Sequence, residues 1–126
     1  KKLGEDRVHF LGPLWGNELN TMIAKSIFTV CPSEWFEVSP YVIMQSLALG
    51  KPVVAADIGG IPEIITSDYN GQLFQSGSVK SLHSALIKQL RCQNPSIKDN
   101  CQRTLSDNHH PQTYYDKTIK IFEALQ

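Results

Sequence analysis

Residues 31–56, CPSEWFEVSPYVIMQSLALGKPVVAA, decide the fold. They contain the end of one β-branched run, an acidic loop, a segment of helical length and a second apolar run, with almost no spacer. Similar short apolar runs occur at 8–11, 27–30 and 53–56, separated by helical segments. Runs that are apolar on both faces are typical of parallel strands covered by helices. The sequence therefore predicts an α/β domain built on a parallel sheet.

The remaining elements follow from turn residues and from apolar spacing. A further strand is expected at 72–75, because the Asn70-Gly71 pair before it is a strong turn signal. Helices are predicted at 17–25, 40–49, 78–90, 95–106 and 111–125. No strand is expected after the last two helices, so they form a helical end to the domain.

The helix predicted at 78–90 has apolar residues spaced by three and four positions. They are Val79, Leu82, Leu86 and Leu90. This spacing places side chains on one helix face, so we expect this stripe to pack on the sheet.

Composition excludes several classes of protein. The chain has 126 residues, 41% of them hydrophobic and 19% charged, which argues for one folded domain and against disorder. Twelve Lys and Arg balance twelve Asp and Glu, so no overall positive field attracts nucleic acid. Cys31, Cys92 and Cys101 lack the spacing of a zinc site or a disulfide framework. These features, with no signal-peptide pattern at the amino terminus, predict a cytoplasmic protein and a chain cut from a longer one.

The Ser39-Pro40 pair is the strongest local signal. Serine is a favoured N-cap residue, and proline fits the first helical position because its missing N–H is not needed there. The amides of Tyr41 and Val42 would then point out of the helix, where the macrodipole favours an anion such as a phosphate. This position lies beyond the carboxyl end of a strand, where open α/β sheets bind ligands.

Glu37 and Gln45 flank this predicted phosphate site. Gln45 lies six positions after Ser39, or about 9 Å farther along the helix at 1.5 Å per residue. A carboxylate near a phosphate is favourable only if it faces neutral donors, so sugar hydroxyls are better partners for Glu37. Gln45 can donate and accept, which suits a ribose diol. The alternative, that both are ordinary solvated side chains, stays open at this point.

Residues 31–65, CPSEWFEVSPYVIMQSLALGKPVVAADIGGIPEII, resemble the donor-binding segment of the retaining GT-B glycosyltransferases called group 1, or family 4. That family has a Pro-Ser after a strand, two Glu with seven residues between them, an E-A-x-A-x-G-x-P-V-V run and then Asp-x-Gly-Gly-x-Pro-Glu. The resemblance extends back through RVHFLGPL and forward through NGQLFQSGSVKSL, over about residues 3–90. YYDKTIKIFEAL is similar to the family's final helix.

The resemblance implies a role for each matching residue. Glu37 would be the catalytic residue that contacts a hydroxyl of the donor sugar. Gln45 stands where the family has the Glu that binds the ribose, so the charge is lost there. The implied substrate-binding residues are Leu14, Trp15, Val38, Ser39, Pro40, Tyr41, Val42, Gln45, Gly59 and Gly60. Leu14 and Trp15 would receive the base, and the glycines would lie beside the donor, although a tight turn before Pro62 would also explain them.

The resemblance also implies what the whole protein does. Residues 1–126 would be a partial nucleotide-sugar-binding domain with a Rossmann-like parallel sheet, the C-terminal half of a GT-B fold truncated at its amino end, finishing in helices over 95–126. The Arg and Lys that neutralise the diphosphate and the acceptor-binding half would lie upstream of Lys1. The intact protein would be a metal-independent hexosyltransferase without a cofactor, in peripheral contact with a membrane through its other half. The chain alone would be inactive.

Three other interpretations are disfavoured by the sequence. His9, His109 and His110 do not have the spacing of a metal site, and Asp57 has no GxGxxG upstream for a nicotinamide cofactor. Glu34 and Glu37 lie too close in one loop for a pair of glycosidase acids. Two alternatives remain open: a nucleotide-sugar epimerase of GT-B-like fold, and a non-catalytic binding module that has kept the fold.

Overall fold

The computed structural model describes residues 7–125, in which a parallel three-stranded sheet has helices on both faces. The strands are β1 (Thr29–Cys31), β2 (Val53–Asp57) and β3 (Gly71–Gln75), in the spatial order β1-β2-β3. Both neighbouring pairs are parallel. The helices are α1 (Gly16–Lys25), α2 (Tyr41–Ala48), α3 (Ile61–Ile64), α4 (Val79–Leu90), α5 (Ile97–Asn108) and α6 (Pro111–Glu123). The predicted Rossmann-like α/β fold is confirmed.

Strand β2 is the centre of the core. Its first four residues are at most 1% exposed, and they alternate between the two faces of the sheet. Val53 and Ala55 pack with α2, α3 and α5 on one face, whereas Val54 and Ala56 pack with β3 and α4 on the other. A strand buried on both faces explains why 53–56 is a continuous apolar run.

Two of the predicted strands differ from the structure. Residues 8–11 form no strand, and Phe10 is 97% exposed, so the prediction for this run was wrong. A strand gains its hydrogen bonds from a neighbour, and within residues 7–125 the edge strand β1 pairs with β2 alone. The strand predicted at 27–30 is shifted to Thr29–Cys31, because Ile27 lies outside the core and is 73% exposed.

The cap predicted for α2 was wrong by one residue. Pro40, not Ser39, is the N-cap residue; its ψ of 115° is extended, and the helix begins at Tyr41 without a side-chain cap. The Pro40 carbonyl accepts from the amide of Ile43 at 3.1 Å, which fixes this register. The predicted position of the free amides is unchanged.

The apolar stripe predicted on α4 was only half correct. Leu82 and Leu86 pack against the sheet, but Val79 is 81% exposed and Leu90 is 56% exposed. The buried face is centred instead on Ala85, which is 7% exposed and whose small side chain permits close approach to the strands.

The last two helices differ in how they attach to the domain. Helix α5 places Cys101 in the core with no exposed surface. Helix α6 begins where the His110 side chain accepts from the amide of Gln112, and it contains no buried residue. Among residues 7–125, no helix is both long enough and apolar enough to cross a bilayer.

Candidate functional site

Two loops meet at the carboxyl edge of the sheet. The loop between β1 and α2 carries Glu37 and Val38, and the loop after β2 carries Gly59 and Gly60. The Gly60 amide donates to the Glu37 carbonyl oxygen at 2.7 Å. A Cβ atom at Gly59 would collide with the backbone of Glu37, and one at Gly60 would collide with that of Val38. These glycines are therefore required for the approach of the two loops, and the structure brings them next to Glu37. Their predicted place beside the donor stays a prediction.

A third strand end joins this edge of the sheet. Ser76, directly after β3, donates from its hydroxyl to the carbonyl oxygen of Ser33 at 3.0 Å. The Ser33 hydroxyl in turn lies 3.5 Å from the Glu37 carboxylate, as its donor. Sequence analysis missed Ser76, because its contact with Ser33 spans 43 positions and depends on how the loops fold. It also missed the contact of Ser33 with Glu37, which is local. The acidic loop is thus fixed from two sides.

Glu37 remains available to a ligand. It is half-buried, and among the described residues its carboxylate accepts a hydrogen bond from Ser33 alone, at a distance near the limit for such bonds. Glu34 lies elsewhere: it is exposed and borders a small cavity of about 90 Å³ beside β3 and α4, which Phe74 also lines. The two carboxylates of this loop therefore have different surroundings.

The amino end of α2 faces this loop. Within the part of the chain that is described, the amides of Tyr41 and Val42 donate to no protein acceptor, since the first helical bonds come from Ile43 and Met44 to Pro40. Such amides, together with the helix dipole, favour an anion. Val38 and Tyr41 are about four-fifths exposed, and Pro40 is buried below them. The arrangement offers backbone donors between apolar side chains.

Gln45 lies one helical turn after Tyr41 and contacts a second helix. Its Nε2 atom donates to Oδ1 of Asn20 on α1 at 2.8 Å, and both side chains are half-buried. The neighbouring Ser46 is fully buried, lies 2.7 Å from the Thr29 hydroxyl and so anchors α2 on β1. Sequence analysis missed Asn20, because nothing in its local pattern distinguishes it from a solvated helix residue.

Gln45 also borders a cavity between α2 and α5. This cavity has a volume of about 300 Å³. Its lining comprises Tyr41, Met44, Gln45, Ala48, Leu105 and His109.

Leu14 and Trp15 precede α1. Trp15 is the N-cap residue of that helix and is 78% exposed, and Leu14 lines a cavity of about 460 Å³ along α1. This cavity shares no lining residue with the one beside Gln45. The structure therefore does not bring Leu14 and Gln45 to one cavity, and Gln45 is linked to α1 by its hydrogen bond to Asn20.

Among the described residues, possible metal ligands form no cluster. Nowhere in residues 7–125 do three or more His, Cys, Asp and Glu side chains lie close enough to share an ion. The absence of a metal requirement stays a prediction.

Two pKa values are shifted at positions away from this site. Burial raises the pKa of the Cys101 thiol to about 12, and a hydrogen bond from Lys88, helped by Gln72, lowers the pKa of the Asp68 carboxyl.

Loops that converge at the carboxyl ends of parallel strands, next to an open helix amino end, define a Rossmann-like α/β domain with a candidate ligand site at this edge. The family described as Glycosyl transferases group 1 matches residues 1–109. The chain belongs to this family, and the resemblance of its sequence to group 1 glycosyltransferases is confirmed.

Curated relatives agree with this assignment. Sulfoquinovosyl transferase of Arabidopsis thaliana is 42% identical over 74 residues, which is 56% of this chain and 14% of that protein. The phosphatidyl-myo-inositol mannosyltransferase of Propionibacterium freudenreichii is 31% identical over 85 residues, 66% of this chain and 22% of that protein. The chain thus spans less than a quarter of these relatives' length.

Solved structures share the fold. Sucrose-phosphate synthase from Thermosynechococcus elongatus superposes with a TM-score of 0.78 at 21% identity, over 96% of this chain and 31% of that one. Anabaena HepE in complex with UDP-glucose superposes with a TM-score of 0.72 at 27% identity, over 95% of this chain and 33% of that one.

Proposed function

We propose that this chain is the donor-binding half of a retaining GT-B glycosyltransferase of family 4, which transfers a sugar from a nucleotide diphosphate to a polysaccharide, glycolipid or other glycoconjugate. One observation carries the proposal: the Glu37 loop, the Gly59-Gly60 loop and the open amino end of α2 converge at the carboxyl edge of the sheet. HepE, solved with UDP and with UDP-glucose, supports a nucleotide sugar as the ligand.

The diphosphate is assigned to the amino end of α2. The amides of Tyr41 and Val42 donate to phosphate oxygens, and those of Val38 and Ser39 are available in the loop before them. Pro40 has no amide proton, so it cannot donate to the phosphate and contributes only to the shape of the binding site. Transfer breaks the bond between the anomeric carbon and a phosphate oxygen, and donors already aimed at the departing phosphate stabilise its growing charge.

The sugar and the nucleoside lie on opposite sides of this phosphate site. Glu37 accepts a hydrogen bond from a sugar hydroxyl, with Gly59 and Gly60 forming the wall beside it. Gln45, farther along α2, binds the ribose, and Leu14 and Trp15 contact the base.

The full-length protein has further proposed properties that concern its cofactors, its location and its acceptor. The transferase needs neither cofactor nor metal, acts in the cytoplasm and binds its acceptor with another domain, through which it contacts the membrane surface. Basic side chains outside this chain complete the neutralisation of the diphosphate.

The test compares the full-length protein with the isolated chain. The full-length protein is incubated with UDP-, GDP- and ADP-sugars and a mixed glycolipid and polysaccharide extract, and products are identified by mass spectrometry. We expect transfer by the full-length protein and only weak nucleotide binding, modestly reduced by salt, by the isolated chain.

The same experiment separates the two alternatives. An epimerase converts the nucleotide sugar without any acceptor, and a non-catalytic module binds nucleotide without turnover. Either result with the full-length protein, or turnover by the isolated chain, contradicts the proposal.

A further inference from the structure

The amide of Gln45 is held at one end. Its Nε2 atom donates to Asn20 Oδ1 at 2.8 Å, a good distance for this kind of bond. Among residues 7–125 this is the one side-chain hydrogen bond that joins α1 to α2. The structure therefore has the Nε2 end of the Gln45 amide against α1.

This contact has a chemical consequence for any ligand of Gln45. A free glutamine amide rotates and presents either its donor or its acceptor, whereas Nε2 bound to Asn20 through one of its two N–H groups fixes the amide and keeps Oε1 as its acceptor for a partner. Oε1 carries two lone pairs and accepts hydrogen bonds, as a carboxylate oxygen does. The half-buried position of both side chains limits competition from water.

We propose that Asn20 is a positioning residue that orients Gln45 so that Oε1 accepts a hydrogen bond from a ribose hydroxyl. The site is then selective for ribonucleoside over deoxyribonucleoside diphosphates. This inference rests on the proposed function, which supplies the nucleotide. Asn20 itself touches Gln45 and not the ligand.

Two variants at the same position separate orientation from packing. Asn20→Asp keeps an acceptor for Gln45 Nε2 but removes the donor, so it fixes the same orientation. Asn20→Ala removes both the acceptor and the donor at position 20, so the Gln45 amide is free to rotate. Thr21→Ala is the matched control, because Thr21 is the next residue of α1, is exposed and makes no hydrogen bond to α2 among the described residues.

The measurement is a ratio of affinities. Calorimetric titration of the full-length protein with UDP, GDP and ADP, and with the 2′-deoxy and 3′-deoxy form of each, gives the preference for the ribose hydroxyls. We expect a preference of about tenfold for at least one hydroxyl in the unmodified protein, Thr21→Ala and Asn20→Asp, and of less than about threefold in Asn20→Ala. The charge added in Asn20→Asp affects each member of a pair alike, so it cancels in the ratio.

The outcomes distinguish this inference from the function on which it rests. Failure of all three diphosphates to bind the unmodified protein overturns the proposed function, and the inference with it. Binding without a preference for ribose, an unchanged preference in Asn20→Ala or a lost preference in Asn20→Asp overturns the inference alone. Thermal unfolding of each variant identifies any loss of affinity that is due to a misfolded α1.

Discussion

The amide of Gly60 donates to the carbonyl oxygen of Glu37 across 2.7 Å, so the loop after β2 directly fixes the backbone that carries the proposed catalytic carboxylate. The position of the Glu37 side chain then depends on two residues without side chains, 22 and 23 positions farther along the chain. Substitutions at these glycines should act on the site through geometry, without altering its charge.

We expect Gly60→Ala to destabilise the domain by about 1–3 kcal/mol and to lower transfer by the full-length protein, because the new methyl group collides with the Val38 backbone. Gly77→Ala is the matched control. Gly77 has a φ of +74° with open space around it, so its cost is backbone strain alone, about 1 kcal/mol. Urea unfolding measures both. If Gly60→Ala proves no more destabilising than the control, the two loops are not in the close contact described above.

Glu37→Ala in the full-length protein should lower kcat/KM by about 10- to 1000-fold, or about 1.4–4 kcal/mol, because a positioned hydrogen bond to the reacting sugar is lost. The free energy of unfolding should change by less than about 0.5 kcal/mol, since the side chain lies outside the core. Glu34→Ala, in the same loop, should keep most of the activity. Steady-state kinetics that give the reverse order for the two variants would assign the role to Glu34.

Gln45→Glu should tighten nucleotide binding by at most about tenfold. A carboxylate accepts from both ribose hydroxyls in charge-assisted bonds, which are about twice as strong, and the Asn20 amide can turn to donate to it. Repulsion from the diphosphate about 9 Å away opposes the gain by about 0.5–2 kcal/mol. Gln45→Ala should bind more weakly than the unmodified protein. Calorimetry that finds neither variant changed would make Gln45 an ordinary helix residue.

Burial raises the pKa of the Cys101 thiol from 9.0 to about 12, so the folded state favours its protonated form. A raised pKa adds stability that is fully present below the unfolded-state value and is lost as the pH rises through the folded-state value. The free energy of unfolding should therefore fall between about pH 9 and pH 12 more steeply in the unmodified protein than in Cys101→Ala. Urea titrations at several pH values measure this slope. Equal slopes in the two proteins would mean that the thiol titrates normally.

The sequence predicted best the elements whose pattern is set by complete burial. Strand β2 was predicted because both of its faces are covered, so every position is apolar. Residues 8–11 have the same kind of pattern but no strand beside them among the described residues, and pairing cannot be read from one run alone.

Some residues of the candidate site could be predicted from the sequence and others could not. Glu37, Gly59 and Gly60 were chosen from local motifs, and the structure does bring them together. Asn20 contacts Gln45 across 25 positions of the chain, and Ser76 contacts Ser33 across 43 positions. Neither the Asn20 amide nor the Ser76 hydroxyl is marked by a local sequence motif. Contacts of this kind depend on the packing of whole elements, which the sequence pattern does not specify.

Helix α6 contributes no residue to the interior, whereas β2 is shared by both halves of the core. Because no residue of α6 is buried, we expect this helix to open while the sheet stays intact, as a separate unit of low local stability. In hydrogen-exchange measurements the amides of residues 112–123 should therefore exchange with solvent deuterium long before those of Val53–Asp57. Fast exchange in α6 beside slow exchange in β2 would show that the sheet carrying the site keeps its structure when this helix opens.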